Sequence, residues 1–477
     1  MPRFESEDRF WEIEREGRIL RIRSGRIGEA GDDTQRSEHF VAVAKRQFDE
    51  AIAAKLAEGY VQVEDVGLRD FPRNESLERR LLEELDPDSE GEAAIAWAVL
   101  GDWLDARGDV RGQLIAIDEA LRRFDELAGA GGSELERSRL EAHRDRLLRE
   151  WVPKWIGDLA HLCGKERPLE VTWDHGWMAG LRLGTLPGRL DLSSWRLGIR
   201  DLVPVLEQVL EHPLAGLLRK LVLAELDPRG RRDYGQALAV LAAQPRRALI
   251  RLELGALTQE DWVRDVNGSY KQRTVLTRAG FLEPLAELER WAPRLRALRI
   301  IGRQLGPLPP MPQLRALELQ VPTLTVGLRS SLANNPWPKL ERLWLRCTDV
   351  YDPWSREQLG SGAELRRLLC GLAGPLRELG VQGPTALVTV LEFIDELELR
   401  ALRLPRLSEP AARLLLEQAG RLDSVEHIVL EDASCDPSWP ELRARFGARI
   451  VSLRGAFAEL EQPDGPGRWL PDRVWRG

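Results

Sequence analysis

Alternating hydrophobic and polar positions open the chain. In residues 10 to 23, Trp11 and Ile13 alternate with glutamates, and after Gly17 isoleucines and a leucine alternate with arginines. A period of two predicts two strands joined by a turn. The next apolar residues recur every four positions and predict a helix, with Ser37 as its N-cap and Gly59 just past its end. They are Phe40, Ala44, Phe48, Ile52 and Leu56.

The middle of the chain has helical spacing. Residues 93 to 104, 115 to 127 and 134 to 149 carry apolar side chains on one helical face, and each predicts a helix. Residues 129 to 133, GAGGS, separate the second and third segments and predict a flexible connection. We therefore expect a helical domain over residues 69 to 178.

A Leu-x-x-Leu-x-Leu motif recurs from about residue 180 onward. The spacing between successive central residues lies between 19 and 46. A repeat period of roughly 20 to 29 residues is typical of leucine-rich repeats, so the longer spacings indicate insertions. The central residues are Leu221, Leu252, Leu298, Leu317, Leu343, Leu379, Leu402 and Ile428.

Each copy of the motif predicts a short strand with its leucines inward and its x positions outward. Neighbouring strands are expected to pair in parallel, and helical spacing in the return segments predicts helices behind the sheet. Residues 201 to 210, 235 to 243, 363 to 372 and 411 to 418 have that spacing. The polar stretch 261 to 276 is predicted to be a loop, within an insertion over residues 255 to 294.

Arginine and tryptophan dominate the binding energy of protein interfaces, so the outward x positions give the candidate partner contacts. These are Lys220, Arg251, Arg299, Glu318, Trp344 and Arg403. The alternative is that mixed charges there only keep the sheet soluble. We favour a binding surface.

The N-terminal segment resembles a WGR domain over about residues 4 to 66. The resemblance rests on the strand pattern, the Gly25-Arg26-Ile27-Gly28 turn, the helix and the Gly59-Tyr60 end, which fall in the family's order. The family is best known from DNA-dependent poly(ADP-ribose) polymerases, and the resemblance implies contact with DNA ends. The Trp-Gly-Arg triplet that names the family is Ser24-Gly25-Arg26 here, so the aromatic residue is absent.

A basic stripe on this domain is the candidate nucleic-acid site. It would consist of Arg21, Arg23, Arg26, Lys45 and Arg46. Residues 1 to 66 nevertheless hold 11 basic against 15 acidic residues, a local excess of negative charge that opposes phosphate binding. A solvated strand face in a protein-binding module is the reading we favour.

The segment AWAVLGDWLDARGDVRGQLIAID is similar to a short helical companion domain that precedes leucine-rich repeats in many myxobacterial and planctomycete proteins. The matching residues include Trp103 and Leu104, followed by Asp109, Arg111 and Gly112. We expect the first two in a core and the others in a turn between helices.

Composition narrows the function classes. A net charge of −8 gives the whole chain no basic excess for nucleic acid or anionic lipid. No apolar run approaches the roughly 20 residues of a membrane helix, and the acidic N-terminus does not resemble a signal peptide, so we expect a cytoplasmic protein. Only seven of the 69 basic residues are lysine, a bias typical of GC-rich bacterial genomes.

Motifs for catalysis or metal binding are absent from the sequence. Four scattered cysteines give neither a zinc spacing nor a disulfide framework, and six dispersed histidines suggest no ligand cluster. Of these, His161, Cys163 and His175 lie closest together, and we interpret them as structural. The sequence therefore predicts no catalytic residue, no metal and no cofactor.

These patterns together predict an α/β protein. We expect a small α+β WGR-like domain (1 to 68), a helical companion domain (69 to 178), an irregular leucine-rich-repeat solenoid of parallel sheet with helical backing (179 to 457) and a tail (458 to 477). The predicted function is a non-enzymatic scaffold or adaptor that binds an unidentified protein partner through the repeat face and its insert loops. A sensor of DNA ends is the alternative.

Overall fold

The computed structural model divides into two compact units, residues 1 to 161 and 162 to 477. The finer domain boundaries expected near residues 68, 178 and 457 stay predictions. The structure describes residues 3–6, 9–16, 19–26, 32–37, 41–63, 73–84, 90–126, 134–164, 167–184, 202–224, 226, 234–244, 246–255, 260–264, 270–274, 280–282, 285, 287–321, 324–347, 362–372, 376–381, 384–404, 409–430 and 438–452. The predicted GAGGS connection and C-terminal tail lie outside these residues.

An antiparallel five-stranded sheet in the order β4-β3-β2-β1-β5 opens the first unit. Its strands are β1 (Arg3–Ser6), β2 (Arg9–Glu16), β3 (Ile19–Arg26), β4 (Asp32–Ser37) and β5 (Val61–Val63). The predicted hairpin is β2 and β3. The prediction of Ser37 as a helix N-cap is wrong, because Ser37 ends β4 and the helix α1 begins at Val41 and ends at Ala57.

Alternation along β2 and β3 separates two faces of this sheet. Trp11 and Ile13 are buried with Phe4, and Ile22 and Phe48 pack against this cluster. Since Phe48 lies in α1, the helix covers this face. Residues of opposite parity, Arg21 and Arg23 among them, therefore point to the other face.

Four helices follow in the first unit. They are α2 (Glu75–Glu84), α3 (Glu90–Asp105), α4 (Val110–Glu126) and α5 (Glu134–Ile156), ahead of a 3₁₀ turn at Gly157–Leu162. Asp109 lies in the turn between α3 and α4, as predicted, but the prediction that Arg111 and Gly112 also lie in this turn is wrong, because both lie in the first turn of α4. The buried Arg111 guanidinium donates to the Asp109 carboxylate at 2.7 Å. Gly112 lies so close to α3 that a Cβ would approach the Asp105 nitrogen at 2.8 Å. Within the described residues, no helix is long and apolar enough to cross a membrane.

A twelve-stranded sheet, largely parallel, organises the second unit. Its path is β19-β18-β17-β16-β15-β14-β13-β9-β8-β7-β6, and β12 pairs with β13. The first part comprises β6 (Leu169–Asp174), β7 (Trp177–Leu183), β8 (Lys220–Leu223), β9 (Arg251–Leu254), β12 (Gly280–Leu282) and β13 (Ala297–Leu305). The second part comprises β14 (Ala316–Val321), β15 (Arg342–Cys347), β16 (Glu378–Val381), β17 (Ala401–Leu404), β18 (His427–Leu430) and β19 (Ile450–Ser452).

All eight copies of the sequence motif coincide with strands β8, β9 and β13 to β18, in one uninterrupted parallel register. At the two edges of the sheet, β6, which pairs antiparallel with β7, and β19 were not predicted as sheet strands. Their sequences alternate but lack the full leucine motif, so the motif does not predict them.

Leucines that are register partners on successive strands form rows across this sheet, which we call leucine rungs. Leu221 pairs with Leu252, and the rung continues through Leu298 and Leu317 to Leu343. Every member of this rung is at most 1% exposed. Since parallel strands need crossovers, the chain returns between strands through segments that bury a second set of leucines.

Helices occupy most of these returns. They are α6 (Val203–Glu211), α7 (Gly235–Ala243), α8 (Leu288–Trp291), α9 (Val326–Asn334), α10 (Gly362–Gly371), α11 (Pro384–Phe393), α12 (Glu409–Glu417) and α13 (Trp439–Phe446). The stretch 261 to 276, predicted as a loop, instead contributes an antiparallel pair, β10 (Glu260–Arg264) and β11 (Tyr270–Thr274). Short 3₁₀ turns lie at Pro213–Leu217, Ile394–Glu396, Ala419–Leu422 and Gly447–Arg449.

Gly255, at the end of β9, provides a test of this packing. Its φ is +90°, and a Cβ there would lie 2.1 Å from the carbonyl oxygen of Ile301 in β13. We expect Gly255→Ala to lower the free energy of unfolding by about 3 kcal/mol or more, because backbone strain and a backbone clash coincide. Urea denaturation measures this change.

Gly420→Ala is the matched control, since a Cβ at Gly420 meets nothing within 4 Å. It is expected to change stability by less than about 1 kcal/mol. Equal effects of the two substitutions would contradict the register assigned to β9 and β13.

Candidate functional site

The outward positions of the parallel strands form what we call the polar face, opposite the leucine rungs. The six candidate partner contacts Lys220, Arg251, Arg299, Glu318, Trp344 and Arg403 all lie on it. Strand register aligns three of them with Glu253 of β9, because Glu253 pairs with Arg299, Arg299 with Glu318 and Glu318 with Trp344. One row of side chains therefore crosses four neighbouring strands.

Ion pairs link this row over β9 to β15. Arg251 donates to Glu253 at 2.6 Å, and Glu253 lies 3.6 Å from Arg299. Glu318 forms ion pairs on two sides, with Arg299 at 3.4 Å and Arg346 at 3.2 Å. Glu318 is only 1% exposed, so its charge is compensated by these two guanidinium groups and not by water.

Trp344 continues the polar face toward β17. Its indole Nε1–H donates to Glu378 Oε1 at 3.1 Å, and the Arg403 guanidinium lies 3.9 Å from its ring centroid. Between the strands of these two residues lies Gly380, where a Cβ would be 2.8 Å from Trp344 Cδ1. The indole therefore lies across Gly380 and brings the Arg403 cation over an aromatic face.

Burial divides the candidates into two groups. Arg251, Glu318, Trp344 and Arg403 are each at most 6% exposed, and their polar atoms contact one another or nearby glutamates. Lys220 and Arg299 are half-buried. Partner binding by these side chains stays a prediction, and the most buried ones hold the surface in a fixed arrangement.

Sequence reasoning did not single out four further members of the polar face, Glu253, Arg342, Arg346 and Glu378. Each forms an ion pair to one of the candidates or to a neighbour. Three of them occupy x positions of the motif. Arg346 is the residue directly after the last leucine of its motif copy, Leu345. The register between strands, which is tertiary information, was needed to see that opposite charges face each other.

The residue preceding each strand forms a second row, which we call the arginine edge. The main-chain carbonyls of this row accept hydrogen bonds from the next strand. The carbonyl of Arg296, for example, accepts from the N–H groups of Arg315 and Ala316 at 2.8 and 2.9 Å. The same double acceptance recurs at Arg219, Ile250, Arg315, Glu341 and Arg377. The row comprises Arg219, Ile250, Arg296, Arg315, Glu341, Arg377, Arg400 and Glu426.

The turn between β6 and β7 holds a cluster of charges. His175, with φ of +54°, places Nδ1 2.6 Å from the Asp174 carboxylate, and Arg219 also pairs with Asp174. Burial alone would raise the pKa of Asp174, but the hydrogen bond and charge of His175 and the charge of Arg219 hold it well below its ordinary value. Asp174 is thus an ionised anchor for the turn and for the start of β8.

Cys163 lacks the properties of a reactive thiol. Burial raises its pKa to about 11, so the thiol is neutral at physiological pH. This agrees with its interpretation as a structural residue.

The candidate nucleic-acid residues do not converge on one face of the N-terminal sheet. Arg26 has the parity of Ile22, on the side of α1, whereas Arg21 and Arg23 have the opposite parity. Arg46 is exposed on α1 and lies 3.6 Å from Glu50, while the side chain of Lys45 lies outside the described part of the chain.

Arg23 has close partners within the sheet. It contacts Glu12 at 2.7 Å, and its guanidinium lies 5.6 Å from the Phe10 ring centroid. Ser24 pairs in register with Trp11 on the strand beside it. The predicted stripe is therefore split between two faces and partly neutralised on one of them.

Comparison with known proteins identifies the N-terminal segment. Residues 3–66 match the WGR domain family. No curated protein sequence matches the chain. A protein from Bacteroides fragilis with a known crystal structure is similar at 14% identity over 94% of this chain and 96% of that one, with a TM-score of 0.42. Similarity this low assigns neither a fold nor a function to the chain.

Gly380 and Trp344 provide a test of the polar face. We expect Gly380→Ala to destabilise the protein by about 1 to 2 kcal/mol, because the new methyl group displaces the indole from its position under Arg403. In a Trp344→Ala background, the same change should cost much less, since the clash is gone. Urea denaturation of the two single variants and the double variant measures the coupling.

The control is Gly420→Ala, which should cost the same with and without Trp344. Full additivity of Gly380→Ala and Trp344→Ala would contradict the placement of the indole over Gly380.

Proposed function

We propose that residues 169 to 452 form a leucine-rich-repeat solenoid and that the chain is a non-enzymatic scaffold that binds a protein partner through it. The observation that carries this proposal is the uninterrupted register of β7 to β9 and β13 to β19. Such a register aligns the outward positions of consecutive strands into rows, which together make an extended surface.

The composition of the rows supports binding of a protein. Arginine and tryptophan are enriched at the centres of interfaces, and both occur on the polar face. Ion pairs and the Trp344–Arg403 contact hold these side chains in place, so little side-chain freedom is lost when a partner docks. A prearranged surface of this kind suits recognition without chemistry.

A second candidate function is nucleic-acid binding by the N-terminal domain. The WGR match at residues 3–66 favours it, because this domain type binds nucleic acids in proteins that are known to carry it. The pairing of Arg23 with Glu12, and Ser24 in place of the family's tryptophan, count against it. We therefore rank it second.

Affinity capture distinguishes the two functions. The full chain, immobilised as bait in lysate of the source organism, is expected to retain one or a few proteins whose recovery survives nuclease treatment. Mass spectrometry identifies and quantifies them. Recovery of DNA-associated proteins that disappears with nuclease would overturn the scaffold proposal and support the nucleic-acid alternative.

Arg26→Glu tests the WGR domain directly. If the domain binds DNA ends, this charge reversal should weaken binding of a fluorescent blunt-ended duplex by at least about tenfold, because a phosphate contact becomes a repulsion. Arg36→Glu on β4 is the matched control, with the same charge change in the same sheet. Under the scaffold proposal, neither variant changes the nuclease-resistant capture.

A further inference from the structure

A histidine side chain caps a turn inside the second unit. His212 directly follows α6 and precedes the 3₁₀ turn Pro213–Leu217, and its Nδ1 atom accepts a hydrogen bond from the main-chain N–H of Leu214 at 3.2 Å. This is the bond that an N-cap residue makes to the second residue of a helix. Proline at the first position has no N–H, so Leu214 provides the first donor of the turn.

The bond from Leu214 requires a neutral imidazole. An N–H group directed at Nδ1 needs a lone pair there, and an imidazolium, which carries a proton on both nitrogens, has none. His212 is 4% exposed and Leu214 is fully buried, so neither group can turn to water instead. Protonation of Nδ1 therefore leaves a buried N–H without its acceptor and also places a charge in the interior.

The elements that pack most closely against this turn are α6 and β7. α6 carries Glu207 and Glu211, which are both exposed, so water screens their attraction for an imidazolium. The charged residue of β7 is Arg182, which pairs with Glu170 of β6 at 2.8 Å. Within these two elements, the carboxylates are therefore placed in water and not in the interior beside the cap.

A buried cation lies at the end of α6. The Arg246 guanidinium donates to the carbonyl oxygen of Leu210, and burial lowers the pKa of Arg246. The last carbonyls of a helix favour one positive charge, and Arg246 already provides it. A second positive charge, on His212 two residues later, would add repulsion between like charges.

We propose that His212 is a pH-sensitive cap on residues 203–217: protonation of Nδ1 releases the N–H of Leu214 and opens the turn. Opening exposes leucines such as Leu206 and Leu210, which are at most 2% exposed in the closed form. It also loosens the start of β8, where the N–H of Arg219 donates to the Ala179 carbonyl at 2.9 Å. This inference goes beyond the scaffold function and does not depend on the identity of the partner.

The direction of the pH dependence follows from the geometry of the cap. Only the open turn can take up a proton on Nδ1, so acidification shifts the equilibrium toward the open form. A solvated imidazole takes up its proton at about pH 6.5. We therefore expect the population of the open turn to rise about tenfold between about pH 7.5 and about pH 5.5.

Hydrogen–deuterium exchange of the full chain, followed by mass spectrometry, measures this opening. After correction for the intrinsic pH dependence of exchange, peptides that cover residues 203–217 should lose about tenfold in protection at the lower pH. The internal control is the 3₁₀ turn Ala419–Leu422, whose N-cap Gln418 makes no side-chain hydrogen bond, and its protection should not change. Equal protection of residues 203–217 at both pH values would overturn the proposal.

His212→Asn is the diagnostic variant, because an asparagine side-chain oxygen accepts the same bond and does not titrate. Its turn should stay protected at both pH values. The matched control is His427→Asn, at an exposed histidine of β18, which should keep the pH dependence of the unchanged chain.

Circular dichroism verifies that the variants fold, and His212→Ser, with another favoured N-cap residue, provides the same comparison if the asparagine variant does not. A tenfold loss of protection that persists in the variants without a titrating cap would contradict the role of His212, since another group would then take up the proton.

Discussion

The common register of the parallel strands is the constraint on which the second unit depends. Leucines, replaced at one position by isoleucine or valine in β13, β16 and β18, occupy the same two inward positions of the motif strands. They form rungs that are almost completely buried, as from Leu221 to Leu343. A shift of one residue in any strand would turn its leucines to the other face and its charged residues into the core. The hydrophobic rungs therefore also determine which polar side chains meet on the opposite face.

The ion pairs of the polar face follow from that constraint. Glu318 has an arginine from each neighbouring strand beside it only because β13, β14 and β15 share one alignment. The same alignment lays Trp344 across Gly380 toward Arg403. Buried charges are tolerated in this arrangement because each has a partner at short distance, and a fixed set of partners gives the surface a single conformation.

In the N-terminal sheet, the alternation of apolar and charged residues also separates two faces. One face carries Phe4, Trp11 and Ile13 against α1, and the other presents arginines with glutamate partners such as Glu12. The basic stripe predicted from the arginines of β3 is divided between the two faces of the sheet, because consecutive strand positions point to opposite faces. Arg26 and Arg23 are three residues apart and so lie on different sides of the sheet.

The sequence by itself determined the positions of the repeated strands, the β2–β3 hairpin and most helices, because hydrophobic period is a local property that a core must satisfy. It did not locate β1, β4, β6 or β19, which carry weak patterns and owe their place to pairing with neighbours. It also named six outward residues without showing that most of them contact each other. Only the tertiary structure decided which charges face which, because those contacts join residues tens of positions apart whose meeting depends on strand register.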